Sequence, residues 1–539
     1  LKKEGEPKGA KRESAPLAPS SLLSAWRWWI IPAFLALILA LVFRDPFIGD
    51  WDALDYTLIS IKGHPSSMAL GRSLFIFTNH AAWRVFHALF GLSTENAYLL
   101  FKYMVVAETP LAVIACWTLA RDVSSSLYTA TICALLIVTS PFFVIYSGQV
   151  MTEIPSLLLL ALALTVYLRG VRQQRLLLML AGAFLLGAGV NVRETVAFYA
   201  PWLILAPLAC GWKLKRREIA RVALSLLVFL ITALGPFAYW FLSDFEGYVA
   251  AWHGWRESMR LEALRHPFTL RSPLAFLIYL FLAAPLVFAA LPVAAFKEWR
   301  ARRFSARLAL ACVGLFATLL LLLNYSTTIN WRYFLTGLPA LAPLVAAYFM
   351  RSQTIKLKSE RRAFLSAVAG VLLISVVLGL VLKPSRDKFT AQHAQMKEYR
   401  ERLMLVPANA VMISGAQSIA VTYWRSIGTG SWDAVGAGSG WPGAELVFVI
   451  EKYLTEGRSV FLDADPRFWP ACGWQAAETR DVASIEERFH FRRISDTIYE
   501  IRPLADDRAR DNPNLKSLLP ENRPGDVEKC AAQGKMQGG

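Results

Sequence analysis

The chain alternates between long apolar blocks and short polar connectors. Eleven blocks stand out, at residues 26–43, 98–119, 130–145, 154–168, 176–190, 196–212, 222–242, 273–296, 308–323, 334–350 and 363–382. A run of about 18 or more apolar residues can cross the roughly 30 Å hydrocarbon layer as a helix. The helix is the expected form because it satisfies its own backbone hydrogen bonds where no water is present. Several blocks are shorter than that, so the count predicted is about eleven spans. The first block is followed by Arg44-Asp45-Pro46 rather than by small residues at a cleavage site, which predicts an uncleaved anchor. After residue 383 the pattern changes. Short apolar strands at 410–414, 459–463 and 498–502 alternate with helical stretches at 416–423 and 444–455, the signature of a small α/β domain. The fold class expected is therefore an all-α polytopic membrane domain, residues 26–382, with a small C-terminal α/β domain outside the cytoplasm, residues 383–504. Residues 1–25 read as a polar cytoplasmic tail and residues 505–539 as a polar, disordered one.

Charge fixes the orientation. The chain has 539 residues, 55% hydrophobic and 18% charged, against roughly a quarter charged in a soluble domain. A net charge of +17 invites a nucleic-acid reading. The cations, however, sit in alternate connectors: Arg169, Arg172 and Arg175; Lys213, Lys215, Arg216 and Arg217; Lys297, Arg300, Arg302 and Arg303; Arg351, Lys356, Lys358, Arg361 and Arg362. Lys and Arg in short connectors mark the cytoplasmic side. The basic excess is then topology, and the expected partner is the lipid bilayer, not nucleic acid. The N-terminus lies inside, and residues 44–96, 243–272 and everything after 383 face outward. Cys116, Cys133, Cys210 and Cys312 fall within apolar blocks as small packing residues. Cys472 and Cys530 lie in polar regions without metal-ligand spacing, and their pairing is open.

The outward segments carry the candidate chemistry. Gly49-Asp50-Trp51-Asp52-Ala53-Leu54-Asp55-Tyr56 follows the first block, and like charges so crowded raise one another's pKa. The three aspartates read as a general base, as ligands of a divalent cation, or as an Asp-rich helix start. Glu153, in Met151-Thr152-Glu153-Ile154-Pro155, sits where Thr152 caps a helix and Glu153 complements its dipole. Glu194 repeats the theme after Asn191-Val192-Arg193. Among external cations, Arg332 and Arg193, and more weakly Arg72, suit a phosphate, because a guanidinium donates two parallel hydrogen bonds. Arg332 reads equally as a side chain snorkelling at a helix start. Trp255, Arg256 and Arg260, in the 246–271 stretch, suggest an interfacial helix on lipid headgroups. His64, His80 and His266 read as solvated loop histidines. The run Gly436-Ala437-Gly438-Ser439-Gly440 reads as a flexible loop with no strand before it and no helix after it, and Asp463 and Asp465 as strand-end turn residues.

Four stretches in this order carry a resemblance. They are the acidic segment after the first block, Met151-Thr152-Glu153-Ile154-Pro155, Asn191-Val192-Arg193-Glu194-Thr195, and Asn330-Trp331-Arg332-Tyr333-Phe334 leading into Leu338-Pro339-Ala340-Leu341. Together they resemble the GT-C superfamily of polyprenyl-phosphate-dependent glycosyltransferases, particularly bacterial members akin to protein mannosyltransferases and aminoarabinose transferases. The resemblance covers roughly residues 26–382 and departs from the family in Asp52-Ala53-Leu54-Asp55, where an adjacent Asp-Glu pair is frequent. It implies an enzyme of the bacterial inner membrane, moving a hexosyl or pentosyl group from a polyprenyl-phosphate donor to a protein, lipid or glycan acceptor. It implies catalytic roles among Asp50, Asp52, Asp55 and Glu153, one carboxylate deprotonating the acceptor for inverting attack. Arg332, Arg193 and Arg72 would hold the departing phosphate. Metal dependence is left open, with Asp50, Asp52 and Asp55 as the ligands if a divalent cation is used. Three other readings stand beside it: a secondary transporter, with ionisable groups near the midplane; a lipid-linked glycan polymerase or ligase; and a non-catalytic assembly or sensor protein.

Overall fold

A computed structural model of the chain describes residues 26–44, 51–63, 71–213, 215–265, 272–300, 304–324, 331–354, 400–414, 433–436, 443–469, 485–504 and 515–518, with scattered positions between 362 and 398 and at 511 and 513. Asp50, His64, His266, Asn330, the helix expected at 416–423, Cys472 and Cys530 lie outside the described residues.

The helical part follows the apolar blocks. It comprises α1 (Trp26–Val42), α2 (Trp51–Lys62), α3 (Ser73–Phe90), α4 (Ala97–Ser124), α5 (Leu127–Val138), α6 (Pro141–Tyr146), α7 (Glu153–Arg172) and α8 (Leu176–Val190). Then come α9 (Trp202–Ala209), α10 (Arg216–Ser243), α11 (Phe245–Arg265), α12 (Ser272–Ala283), α13 (Pro285–Arg300), α14 (Ala306–Asn324) and α15 (Leu338–Thr354). Among the described residues four helical stretches are long and apolar enough to cross a membrane: Thr94–Ser124, Glu153–Arg172, Arg216–Ser243 and Arg332–Met350.

Three blocks that read as plain apolar runs are broken. The 130–145 block stops at Thr139 and restarts at Pro141, the first residue of α6, where a missing N–H costs nothing. The 273–296 block breaks between Ala283 and Pro285 in the same way. The two breaks meet, because Ser140 Oγ donates to the Ala283 carbonyl at 2.7 Å. The third, 196–212, opens as a 3-10 turn (Glu194–Tyr199) and becomes α9 only after Pro201. The described part of the segment 44–96 is built largely of α2 and α3.

α7 and α8 form a tight antiparallel hairpin. Gly182 permits it, since a Cβ there would lie 2.6 Å from the backbone nitrogen of Tyr167, and Tyr167 is itself buried with its hydroxyl donating to the Leu203 carbonyl at 2.6 Å. The hairpin returns the chain to the face it left, so residue 193 lies at the same end as residue 153.

The C-terminal domain is a five-stranded sheet in the order β2-β1-β3-β5-β4. β1 (Val411–Ser414), β2 (Asp433–Gly436) and β3 (Val460–Asp463) run parallel, with α16 (Gly443–Thr455) crossing from β2 to β3. β5 (Ile498–Pro503) is antiparallel to β3 and to β4 (Phe489–Arg493). One face packs Val411, Ile413, Val460 and Leu462 against Leu446 and Ile450 of α16. Met412, Phe461 and Ile498 on the other face join Leu403 and Val406 in the apolar core that contains the helical part. Two expectations are corrected. The glycine run does lie between a strand and a helix, because β2 ends at Gly436 and α16 begins at Gly443. The stretch expected to be disordered from 505 contributes Leu515 and Leu518, both fully buried, to the sheet core. Asp463 and Asp465 are turn residues at the end of β3, held by Arg402 at 2.6 and 2.5 Å.

Candidate active site

The site is assembled at the first turns of helices that start on one face. Asp52 lies in the first turn of α2 and Asp55 one turn later, so both point from the same side. α2 is fastened to α3 by His80, whose Nδ1 is 2.8 Å from the Ser60 carbonyl oxygen, and by the buried Tyr56 ring edge-on to Phe75. α7 opens with Glu153. The α7–α8 hairpin delivers Arg193, and the 3-10 segment Trp331–Gly337 before α15 delivers Arg332.

Glu153 is 1% exposed, and both arginines converge on it. Arg193 Nη1 donates to Glu153 Oε1 at 2.5 Å and to Thr152 Oγ1 at 3.1 Å. Arg332 Nε lies 3.3 Å from the same Oε1, and the far end of its guanidinium donates to Asp52 Oδ2. A continuous chain, Asp52–Arg332–Glu153–Arg193, thus links α2, α7 and two 3-10 segments. The Tyr333 ring lies beneath both guanidiniums, 4.6 Å from Arg193 and 5.8 Å from Arg332. Two local expectations are corrected here. Thr152 makes no side-chain cap on α7; its hydroxyl is taken by Arg193. Arg332 does not snorkel, being 5% exposed and ion-paired.

Beside this chain lies a second pair, Arg72 Nη2 to Glu194 Oε1 at 3.4 Å, with Arg72 stacked over the Tyr56 ring. Gly71 makes the approach possible: its φ is +77°, and a Cβ would lie 3.1 Å from that of Glu194. Asn191 fixes the neighbourhood. Its carbonyl accepts from Leu74 N at 2.9 Å, its side chain accepts from Ser73 Oγ at 3.3 Å, and its Nδ2 donates to the Thr232 carbonyl on α10 at 2.9 Å.

Asp55 differs from the other acids. Its Oδ2 is enclosed with no hydrogen-bond partner among the described residues. Burial first, then the charge on Asp52, pushes its carboxyl up to about 6, against the pull of Arg72 and Lys62. Glu153 Oε2 and Arg193 Nε and Nη2 are also buried without partners among the described residues. Four carboxylates therefore face three guanidiniums, with one acid unpaired and buried donors still to be satisfied. Such a site can hold an anionic group and accept a proton.

Of the residues expected from sequence, Asp52, Glu153, Arg193 and Arg332 are in mutual contact, and Asp55 and Arg72 flank them. Asp50 lies outside the described residues, and among those described no group of three or more His, Cys, Asp or Glu is arranged to hold a metal ion. Trp255, Arg256 and Arg260 stand exposed on α11, which packs chiefly on α10. Sequence reasoning gave no role to Tyr333, Tyr56 or Asn191, and expected Thr152 only as a helix cap. The available signal was adjacency, since each stands next to or close to a candidate ion.

Comparison with known proteins points to one class. Residues 79–240 match the family model of dolichyl-phosphate-mannose-protein mannosyltransferases. No curated protein sequence matches the chain. Among solved structures, the crystal structure of ArnT from Cupriavidus metallidurans bound to undecaprenyl phosphate matches with a TM-score of 0.55 and 13% identity, over 89% of this chain and 98% of that one. These findings agree with the resemblance read from the sequence: the chain shares the fold of ArnT, and residues 79–240 are similar to the mannosyltransferase family.

Proposed function

We propose that the chain is an inverting glycosyltransferase that moves a sugar from a polyprenyl-phosphate donor to an acceptor at the outer face of the membrane. The observation that carries this reading is the unpaired Asp55 carboxyl beside the Asp52–Arg332–Glu153–Arg193 chain. Asp55 takes the proton of the acceptor hydroxyl as that oxygen attacks the anomeric carbon. The bond from that carbon to the phosphate oxygen breaks, and polyprenyl phosphate leaves with the electron pair. Arg193, Arg332 and Arg72 meet the charge that develops on it. Asp52 and Glu153 hold two of those guanidiniums in orientation, and so act as positioning residues. The ArnT likeness supports a polyprenyl-phosphate donor, because that relative binds undecaprenyl phosphate.

The same reading takes residues 26–382 as a membrane domain of about eleven spans, with residues 383–504 and the 3-10 turn Leu515–Leu518 outside the cytoplasm of a bacterial inner membrane. α11, with Trp255, Arg256 and Arg260, lies on lipid headgroups. A transporter would want its ionisable groups near the bilayer midplane, whereas Glu153 opens α7 and Asp52 opens α2. The test is donor turnover by the purified protein, read as release of polyprenyl phosphate. Asp55→Asn should lower the rate by about 10²–10⁴-fold, the usual contribution of a general base. A wild-type rate in that variant would remove the mechanism.

A further inference from the structure

A second site lies at the far end of α7 from the acids. α7 has 20 residues, which at 1.5 Å per residue is about 30 Å, the thickness of the hydrocarbon layer. Its first residue, Glu153, belongs to the acid cluster, and its last, Arg172, lines a cavity of about 380 Å³. Arg172, Lys213 and Lys215 supply three positive charges to the lining, Glu218 one negative charge, and Trp212 an aromatic wall. Chain geometry forms it: α9 stops at Cys210, Gly211 turns with φ +78°, and α10 starts at Arg216. The N-terminus of α10 therefore faces the cavity with no side-chain cap, and its dipole adds to the positive potential.

The surroundings identify the ligand. α10 runs for 28 residues, and only 17% of the 18-residue apolar window within it is buried inside the protein. Lys215, on the cavity wall, begins an exposed stripe that continues through Ile219, Leu227, Leu230 and Leu234. A cationic pocket at the head of a lipid-facing apolar stripe fits one kind of molecule, with an anionic phosphate at one end and acyl chains at the other. We infer that this cavity binds the headgroup of an acidic phospholipid in the leaflet opposite the acid cluster, with its chains along α10. Trp212 suits the headgroup level, where aromatic side chains gather.

The test uses the full chain in detergent and phosphatidylglycerol as the probe, with phosphatidylcholine and inorganic phosphate as comparisons. Phosphatidylglycerol should raise the unfolding temperature and remain attached in native mass spectrometry, while phosphatidylcholine should do neither. Each cation near an anionic lipid is worth roughly fivefold in affinity. The triple variant Arg172→Gln, Lys213→Gln, Lys215→Gln should therefore lose about a hundredfold. Glu218→Gln, which removes the carboxylate of the lining, should bind more tightly, and it keeps the test decisive if the triple variant fails to fold. Equal binding of phosphatidylcholine, or unchanged binding in both variants, would overturn the proposal. An equal effect of inorganic phosphate alone would overturn the lipid assignment.

Discussion

Asp55 and Asp52 are three residues apart, yet their surroundings separate them. Asp52 is tied to Arg332, while Asp55 is enclosed and unpaired. The carboxyl of Asp55, raised to about 6, must be ionised to act as a base. Turnover should therefore fall as the pH drops through about 6. Arg72 pulls that value down, so Arg72→Gln should move the acid limb of the pH–rate profile upward; an unmoved limb would mean another group titrates. The same shift bears on stability. The folded-state value lies above the ordinary 3.8, so the folded chain holds the extra proton between those two values. Stability from this group is then greatest below that window and declines as pH rises through it. Asp55→Asn removes a buried charge, and at pH 8 it should stabilise the protein by on the order of 2 kcal/mol while lowering turnover by about 10²–10⁴-fold, as thermal unfolding and donor release would report. None of this separation was legible in the sequence. Three aspartates in six residues announce a cluster, but which of them meets a guanidinium depends on Arg332, 280 positions away.

Elements were easier to read than their meeting points. The apolar blocks marked most helices, and the strands and helix around 410, 444, 459 and 498 appear within a residue or so of expectation. The breaks were less visible because Ser140-Pro141 and Ala284-Pro285 interrupt the helix without interrupting hydrophobicity. β2 was missed because Asp433–Gly436 has no apolar run, and the segments that carry Arg193 and Arg332 are 3-10 turns without helical periodicity. What joins Glu153 to Arg193 is the α7–α8 hairpin, and that makes Gly182 a remote determinant of the site. Gly182→Ala would put a methyl group against the Tyr167 backbone, costing about 1–3 kcal/mol as overpacking. If the hairpin sets the ion pair, the same variant should lower turnover without touching an acid or an arginine. A full loss of stability with an unchanged rate in the remaining folded protein would show that the pair is set elsewhere. Gly71→Ala adds left-handed strain to a 3.1 Å contact with Glu194 and should weaken donor binding through Arg72.

At the scale of the whole molecule, the sheet domain is not a loose appendage. Met412, Phe461 and Ile498 share one apolar core with the helical part, whereas the visible polar link, Arg400 to Glu95 at 2.9 Å, is exposed on both sides. Magnitudes decide which of the two holds the domain. An exposed ion pair contributes about 0–1 kcal/mol, while truncating a buried phenylalanine costs about 3–5 kcal/mol. Arg400→Ala should therefore leave the thermal midpoint nearly unchanged, and Phe461→Ala should lower it clearly. Phe461 belongs to β3, so its truncation weakens the sheet itself as well as the contact. Leu403 and Val406 precede the sheet and lie in the shared core, so Leu403→Ala separates the two. If the apolar face docks the domain, Leu403→Ala should expose the linker to proteolysis near residue 400 before the sheet itself is cut. Protection equal to wild type, alongside a lowered midpoint, would mean that the contact stabilises the sheet without coupling it to the helices.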